Sequence, residues 1–96
     1  MAAGPTSPVR RSVELVNQRG LHARASAAFI REAMKFDARV TVFFEGQPAS
    51  VTSIMDLLML GARVGQTIEI ETAGPDAEAA LMALADLVER GFGEDV

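Results

Sequence analysis

Hydrophobic and polar residues alternate with the two-residue period of a β-strand in several segments of the chain. Residues 67–72 show the pattern most clearly, because isoleucines occupy one face and glutamates the other. Residues 12–16 alternate in the same way and predict a half-buried strand. Residues 39–44 are β-branched and aromatic, and a Glu45-Gly46 turn joins them to residues 47–51. This pair predicts a β-hairpin.

Three other segments have the hydrophobic spacing of an α-helix. Residues 23–36 repeat alanines and larger apolar side chains at helical intervals, which predicts an amphipathic helix. Residues 53–60 predict a short helix, since Ser53 and Asp56 have the spacing of a capping box. Residues 77–89 are rich in alanine and leucine and predict a long final helix.

The order of these elements is strand, helix, strand, strand, helix, strand, helix. It predicts an α+β fold of the open-faced sandwich type, a four-stranded antiparallel sheet covered on one face by three helices. The chain of 96 residues can bury one modest core. We expect one domain over residues 12–92, a flexible N-terminal tail over residues 1–11 and a short C-terminal tail over residues 93–96.

Composition excludes several classes of function. The apolar fraction of 49% and the net charge of −4 are typical of a globular protein, and without a basic stripe we expect no nucleic-acid partner. The absence of cysteine excludes disulfides, thiolate metal sites and cysteine catalysis, and it fits a cytoplasmic protein. One histidine cannot form a histidine-rich metal site, so we expect neither metal nor cofactor. No segment resembles a signal peptide or a membrane span, so we expect no membrane insertion.

The chemistry of the chain is concentrated in the run Gly20-Leu21-His22-Ala23-Arg24. It contains the single histidine, at the junction between a predicted strand and a predicted helix. The free amides and positive dipole end of a helix N-terminus favour an anion. Imidazole is a nucleophile near neutral pH and can carry a covalent phosphoryl group, which a nearby arginine would stabilise. A histidine without any special role is the simpler alternative.

These residues resemble a known family, the histidine-containing phosphocarrier protein HPr. The resemblance rests on residues 20–24, on Ser53-Ile54-Met55 opening a short helix that Leu60-Gly61 closes, and on Gly65 before the last strand. It covers residues 12–92 in matching order and spacing.

The resemblance implies a bacterial carrier of the phosphoenolpyruvate-dependent phosphotransferase system for sugar transport, acting as a monomer and not as a standalone enzyme. His22 would accept a phosphoryl group on Nδ1 from enzyme I and pass it to an enzyme IIA. Arg24 would stabilise the phosphoryl oxygens. An NPr-type carrier would use the same chemistry to signal to nitrogen or potassium regulation, and the sequence does not separate the two branches.

Ser53 lies where the family's regulatory serine lies, which implies phosphorylation by HPr kinase/phosphorylase and a link to carbon catabolite regulation. An ordinary helix cap is the alternative, and the two roles are compatible. Asp56 departs from the family pattern and adds a negative charge that would repel a phosphoserine. A regulatory binding module that depends on phosphorylated Ser53 is the third candidate function.

A docking surface for partner proteins is expected on the short helix, because methionine adapts to differently shaped partners. Leu57 and Leu60 are instead expected in the core. Arg19 and Arg31 could steer acidic partners towards the site, or could simply be solvated. The expected docking residues on the helix are Ile54, Met55 and Leu58.

Overall fold

The computed structural model describes residues 7–94, which form four strands and three α-helices. The predicted alternation of strands and helices is confirmed. In chain order the elements are β1 (Val9–Glu14), α1 (Ala23–Ala33), β2 (Arg39–Phe44), β3 (Gln47–Ser50), α2 (Ile54–Leu60), β4 (Thr67–Ala73), α3 (Ala77–Glu89) and a 3-10 turn (Gly91–Gly93).

The sheet has the strand order β1-β4-β2-β3, and every neighbouring pair is antiparallel. Val42 pairs with Ile70 on one side and with Ala49 on the other, so these buried side chains share one face. The helices contribute Phe29, Leu57 and Leu84 to the same core cluster. The predicted α+β open-faced sandwich is therefore confirmed.

The opposite face of the sheet carries polar and charged side chains. Arg10 donates hydrogen bonds to Glu69 and Glu71, at 2.8 and 3.0 Å, and its guanidinium lies 4.2 Å from the centre of the Phe43 ring. Exposed ion pairs of this kind contribute little to stability. The buried apolar core lies on the helix-covered face of the sheet.

The first strand differs from its prediction. It begins at Val9 and ends at Glu14, whereas residues 12–16 were predicted. Residues 9–11 were expected in a flexible tail, but they pair with β4, Val9 opposite Thr72 and Arg11 opposite Ile70. Pairing with a long neighbouring strand determines where β1 starts. The rest of the predicted tail, residues 1–6, lies outside the described residues.

The C-terminal segment also differs from its prediction. Gly93 and Glu94 were expected in a tail, yet Gly93 completes the 3-10 turn and Glu94 forms side-chain hydrogen bonds with the domain. Residues 95 and 96 of that predicted tail lie outside the described residues. Helix α1 is shorter than predicted, because Lys35 and Phe36 donate to carbonyls three residues back, in turn geometry. No helix within residues 7–94 is long and apolar enough to cross a membrane.

Candidate functional site

The loop between β1 and α1 is fixed against the loop that follows α2. Gly20 has a φ of +60°, and a Cβ at this position would lie 2.6 Å from the carbonyl oxygen of Ala62. Only glycine combines this backbone conformation with so close an approach. The amide of Leu21 donates to the same Ala62 carbonyl at 3.1 Å, and the side chain of Asn17 donates to the Gly20 carbonyl at 2.9 Å. These contacts determine where His22 lies.

His22 is the N-cap residue of α1, at the start of the helix, where the sequence predicted it. Its backbone is extended (φ −76°, ψ −179°), and its carbonyl accepts the first hydrogen bond of the helix, from the amide of Ser26 at 2.8 Å. Its imidazole makes no capping bond. Within residues 7–94 the amides of residues 23–25 donate to no protein acceptor, so the helix presents free N–H groups at this end.

A carboxylate holds the imidazole of His22 from the far end of the chain. Nε2 of His22 lies 2.7 Å from Oε2 of Glu94, and both side chains are largely buried, with 16% and 20% exposure. The other carboxylate oxygen accepts a hydrogen bond from Nδ2 of Asn17 at 3.1 Å. Burial would raise the pKa of the Glu94 carboxyl, but the hydrogen bonds from Asn17 and His22, with the charges of His22 and Arg19, lower this pKa overall. Glu94 is therefore an ionised acceptor near neutral pH.

The three candidate arginines are all exposed. Arg24 is in the first turn of α1, two residues after His22, and none of the ion pairs found within residues 7–94 involves it. Arg19 is in the loop before His22, and its charge acts on Glu94. Arg31 is in the last turn of α1, two turns further along the helix. A free guanidinium can offer several donors to an anion.

Helix α2 packs against α1 and begins with a side-chain cap. Ser53 Oγ accepts a hydrogen bond from the amide of Asp56 at 3.2 Å, which is one half of a capping box. Leu57 is fully buried and Leu60 packs against the core, so their predicted core positions are confirmed. Leu58 is half-buried.

The outer surface of α2 combines the exposed charge of Asp56 with several exposed apolar side chains. Its methionines are more exposed than its isoleucine. The methionine side chain is unbranched and flexible, so it can adapt to a partner surface. The exposed apolar residues are Ile54 at 41%, Met55 at 62% and Met59 at 79%.

Sequence reasoning missed three residues of this region. Glu94 contacts His22 across 72 positions of sequence, and Asn17 donates to Glu94 across 77 positions, so no local spacing signals either contact. Met59 had a local signal, because it follows Met55 by four residues and so lies on the same side of the helix.

Potential metal ligands are not grouped in the part of the chain that the structure describes. No three histidine, cysteine, aspartate or glutamate side chains within residues 7–94 are close enough together to hold a metal ion.

Known proteins match this sequence over most of the chain. The family model described as PTS HPr component phosphorylation site matches residues 9–90. Phosphocarrier protein HPr of Neisseria meningitidis serogroup A is 43% identical over 86 residues, covering 90% of this chain and 97% of the relative. Phosphocarrier protein NPr of Escherichia coli K12 is 40% identical over 88 residues, covering 91% and 98%.

Solved structures agree with these sequence relatives. The crystal structure of HPr-C-His from Thermoanaerobacter tengcongensis has a TM-score of 0.86 at 35% identity and covers 92% of this chain and 99% of that one. The crystal structure of HPr from Bacillus anthracis has a TM-score of 0.82 at 37% identity, covering 86% and 99%. Fold and sequence therefore point to the same group of bacterial proteins.

Proposed function

The chain belongs to the HPr family of phosphocarrier proteins of the phosphotransferase system, and on that premise we propose that His22 is its phosphoryl acceptor. In this proposal Nδ1 of His22 takes the phosphoryl group from phosphorylated enzyme I and gives it to an enzyme IIA. The observation that carries the proposal is an imidazole, 16% exposed, at the N-terminus of α1, next to helix amides without protein acceptors. Such amides stabilise negative charge without having to be ordered first.

Arg24 provides an exposed positive charge in the proposed site. Its exposed position two residues after His22 lets the guanidinium reach phosphoryl oxygens through planar, charge-assisted hydrogen bonds. Because a carrier has to release what it accepts, moderate stabilisation serves it better than a closed cage. The partners supply the rest of the in-line transfer geometry.

The proposed docking surface for enzyme I and the enzyme IIA comprises Ile54, Met55 and Leu58. The exposure of Ile54 and Met55, and the packing of α2 against α1, support this choice. Arg19 and Arg31 are proposed to steer acidic partner surfaces, an effect that salt would weaken. A monomer that works in the cytoplasm suits exchange with several such partners.

Ser53 is the proposed regulatory site, as the substrate of an HPr kinase/phosphorylase. Its hydroxyl already caps α2, and a phosphate at a helix N-terminus gains from the free amides there. Asp56, whose amide bonds to Ser53, opposes this with a like charge. A regulatory binding module that depends on phosphorylated Ser53 is the alternative that this position supports.

The sugar branch and the nitrogen-related branch remain two versions of the same proposal. Relatives named HPr and relatives named NPr match the chain at nearly the same identity, 43% and 40%. Transfer from phosphorylated chain to a purified sugar-specific enzyme IIA, compared with transfer to its nitrogen-related counterpart, separates them.

The experiment that tests the carrier function is intact mass spectrometry after incubation with phosphoenolpyruvate and the cognate enzyme I. We expect one added phosphate that acid removes, and none on a His22→Ala variant. An adduct that survives in His22→Ala would overturn the assignment of His22, and no adduct on the wild-type chain would overturn the carrier function.

A second incubation, with ATP and HPr kinase, tests Ser53. We expect an acid-stable phosphate that Ser53→Ala lacks and His22→Ala retains. Failure of the wild-type chain to gain this phosphate would leave Ser53 as a helix cap alone.

A further inference from the structure

Glu94 bonds through both carboxylate oxygens to residues of the β1–α1 loop. Oε2 lies 2.7 Å from Nε2 of His22, and Oε1 accepts from Nδ2 of Asn17 at 3.1 Å. The contact joins the end of the described chain to the residue that carries the proposed function. It is more than an exposed ion pair, because both side chains are at least four-fifths buried.

The backbone after α3 is shaped to return Glu94 to this position. Three consecutive residues have positive φ angles: Gly91 at 65°, Phe92 at 59° and Gly93 at 75°. For a phenylalanine this conformation is strained, and it persists where surrounding contacts hold it. Phe92 packs against the core, and the amide of Glu94 donates to the Gly91 carbonyl at 3.0 Å. The segment that carries Glu94 is thus held in place by contacts of its own backbone and of Phe92.

Asn17, in the β1–α1 loop, also holds the carboxylate of Glu94 in place. It is fully buried, and its Nδ2 group donates both to Glu94 and to the carbonyl of Gly20 at 2.9 Å. Both neighbours are acceptors, so rotating the amide by 180° would place its oxygen against two oxygens. The orientation of Asn17 is therefore fixed, and with it the place of the carboxylate beside His22.

An ionised carboxylate accepts hydrogen bonds and cannot donate them. The short contact with Glu94 therefore requires the hydrogen of the imidazole to be on Nε2. In a neutral imidazole the other nitrogen then carries the lone pair. That nitrogen is Nδ1, which becomes the free nucleophile.

We propose that Glu94 is a positioning residue for phosphoryl transfer: it holds the Nε2–H form of His22 and orients Nδ1 towards the phosphoryl donor. The inference rests on the proposed function of His22. In the accepting step the lone pair of Nδ1 forms the N–P bond while the bond from phosphorus to the donor breaks, and its electron pair leaves with the donor. Nε2 keeps its hydrogen, so the phosphorylated ring is positively charged and Glu94 balances that charge. In the donating step the N–P bond breaks and its electron pair returns to Nδ1.

The first test needs no partner protein. Imidazole ¹⁵N shifts of His22 report which ring nitrogen carries the hydrogen, and they are compared among the wild-type chain, Glu94→Ala and Glu94→Gln. We expect the Nε2–H form to dominate in the wild-type chain, a mixture of both forms in Glu94→Ala, and an intermediate result in Glu94→Gln, whose amide oxygen still accepts. Identical spectra in all three proteins would overturn the inference.

The second test measures the rate of phosphoryl transfer from enzyme I with the same variants. We expect kcat to fall about tenfold in Glu94→Ala, as for the loss of one charge-assisted hydrogen bond, with partial rescue in Glu94→Gln and an unchanged KM. Glu89→Ala is the matched control, since Glu89 is exposed and pairs with Arg11. It should match the wild-type rate.

The outcomes separate the inference from the proposed function. If the wild-type chain takes up no phosphate, the carrier function fails. If it does so and Glu94→Ala reacts equally fast, the carrier function stands and the role of Glu94 is overturned. A faster Glu94→Ala variant would also overturn it, by showing that the carboxylate repels the incoming phosphoryl group.

Discussion

At the scale of single residues, the site combines one imidazole with a carboxylate and arginine side chains. Glu94 faces Nε2 of His22, while Arg24 is exposed and lacks an ion pair within residues 7–94. The carboxylate is already engaged with His22, whereas the guanidinium of Arg24 is available for another partner. This difference predicts different consequences for the two side chains.

Replacing Arg24 should slow transfer without affecting the fold. We expect Arg24→Ala to lower the rate of phosphoryl acceptance by about tenfold to a hundredfold, because planar donors to the transferring group are lost. The rate for Arg24→Lys should lie between those of the wild-type chain and Arg24→Ala, since lysine keeps the charge and lacks the planar guanidinium. Stopped-flow transfer from phosphorylated enzyme I measures the effect. Arg39→Ala, an exposed arginine at the start of β2, is the control, and an equal loss there would refute the role of Arg24.

Glu94 should also make stability depend on pH. Its pKa is lowered in the folded chain, because hydrogen bonds from Asn17 and His22 outweigh the effect of burial. A carboxyl of this kind stabilises the fold fully above its ordinary pKa of 4.5, and the contribution is lost as pH falls through the lower folded value. Urea unfolding should therefore show Glu94→Gln to be less stable than the wild-type chain at about pH 7 and equal to it at about pH 2.

The comparison for that measurement is Glu14→Gln. Glu14 is an exposed residue at the end of β1, and its side chain is in none of the hydrogen bonds found within residues 7–94. Its substitution should leave the pH dependence of stability as it is. A loss in Glu94→Gln that does not change with pH would contradict the assignment.

At the scale of elements, the decisive feature is the loop that carries His22 from β1 into α1. This loop contacts the loop after α2, because Gly20 packs against the Ala62 carbonyl and the amide of Leu21 donates a hydrogen bond to it. Helix α1 also packs against α2, so that the proposed acceptor and the proposed docking surface belong to one packed unit.

Gly20→Ala tests the contact between these two loops. A Cβ would lie 2.6 Å from the Ala62 oxygen and 2.8 Å from Cα of Arg63, at a φ of +60°. We expect the free energy of unfolding to fall by about 2–5 kcal/mol, from backbone strain and overpacking together. Urea denaturation measures it. Gly61→Ala has a similar φ of +69° and no atom within 4 Å of the added Cβ. Gly61→Ala should lower the free energy of unfolding by only about 1 kcal/mol. Equal losses would contradict the role of close packing.

At the scale of the whole molecule, one core supports both the sheet and the site. Phe29 of α1 is fully buried in the cluster that includes Val42 and Ile70 of the sheet. Small domains are stabilised by only about 5–15 kcal/mol. A single large cavity therefore endangers the whole fold, including the distant contact of Glu94.

Phe29→Ala should consequently destabilise the protein by about 3–5 kcal/mol. Met34, at the end of the same helix, is 77% exposed, so Met34→Ala serves as the control. It should change the free energy of unfolding by less than about 0.5 kcal/mol. Urea or thermal unfolding distinguishes the two, and similar losses would mean that α1 is not anchored through Phe29.

The sequence by itself determined the elements whose pattern is local. Strand β2 and helix α3 lie at the residues predicted for them, and α1 begins directly after His22, because alternation and helical spacing depend on near neighbours. The family resemblance supported the same fold, and the comparisons with known proteins confirmed the family.

Only the tertiary structure decided what depends on distant partners. β1 begins at Val9 because β4 is there to pair with it, and α1 ends at Ala33 rather than near residue 36. The hydrogen bond between His22 and Glu94 joins residues 72 positions apart, and no periodicity of the sequence contains it. Local patterns record which face of an element is apolar, whereas such contacts exist only after the chain has closed on itself.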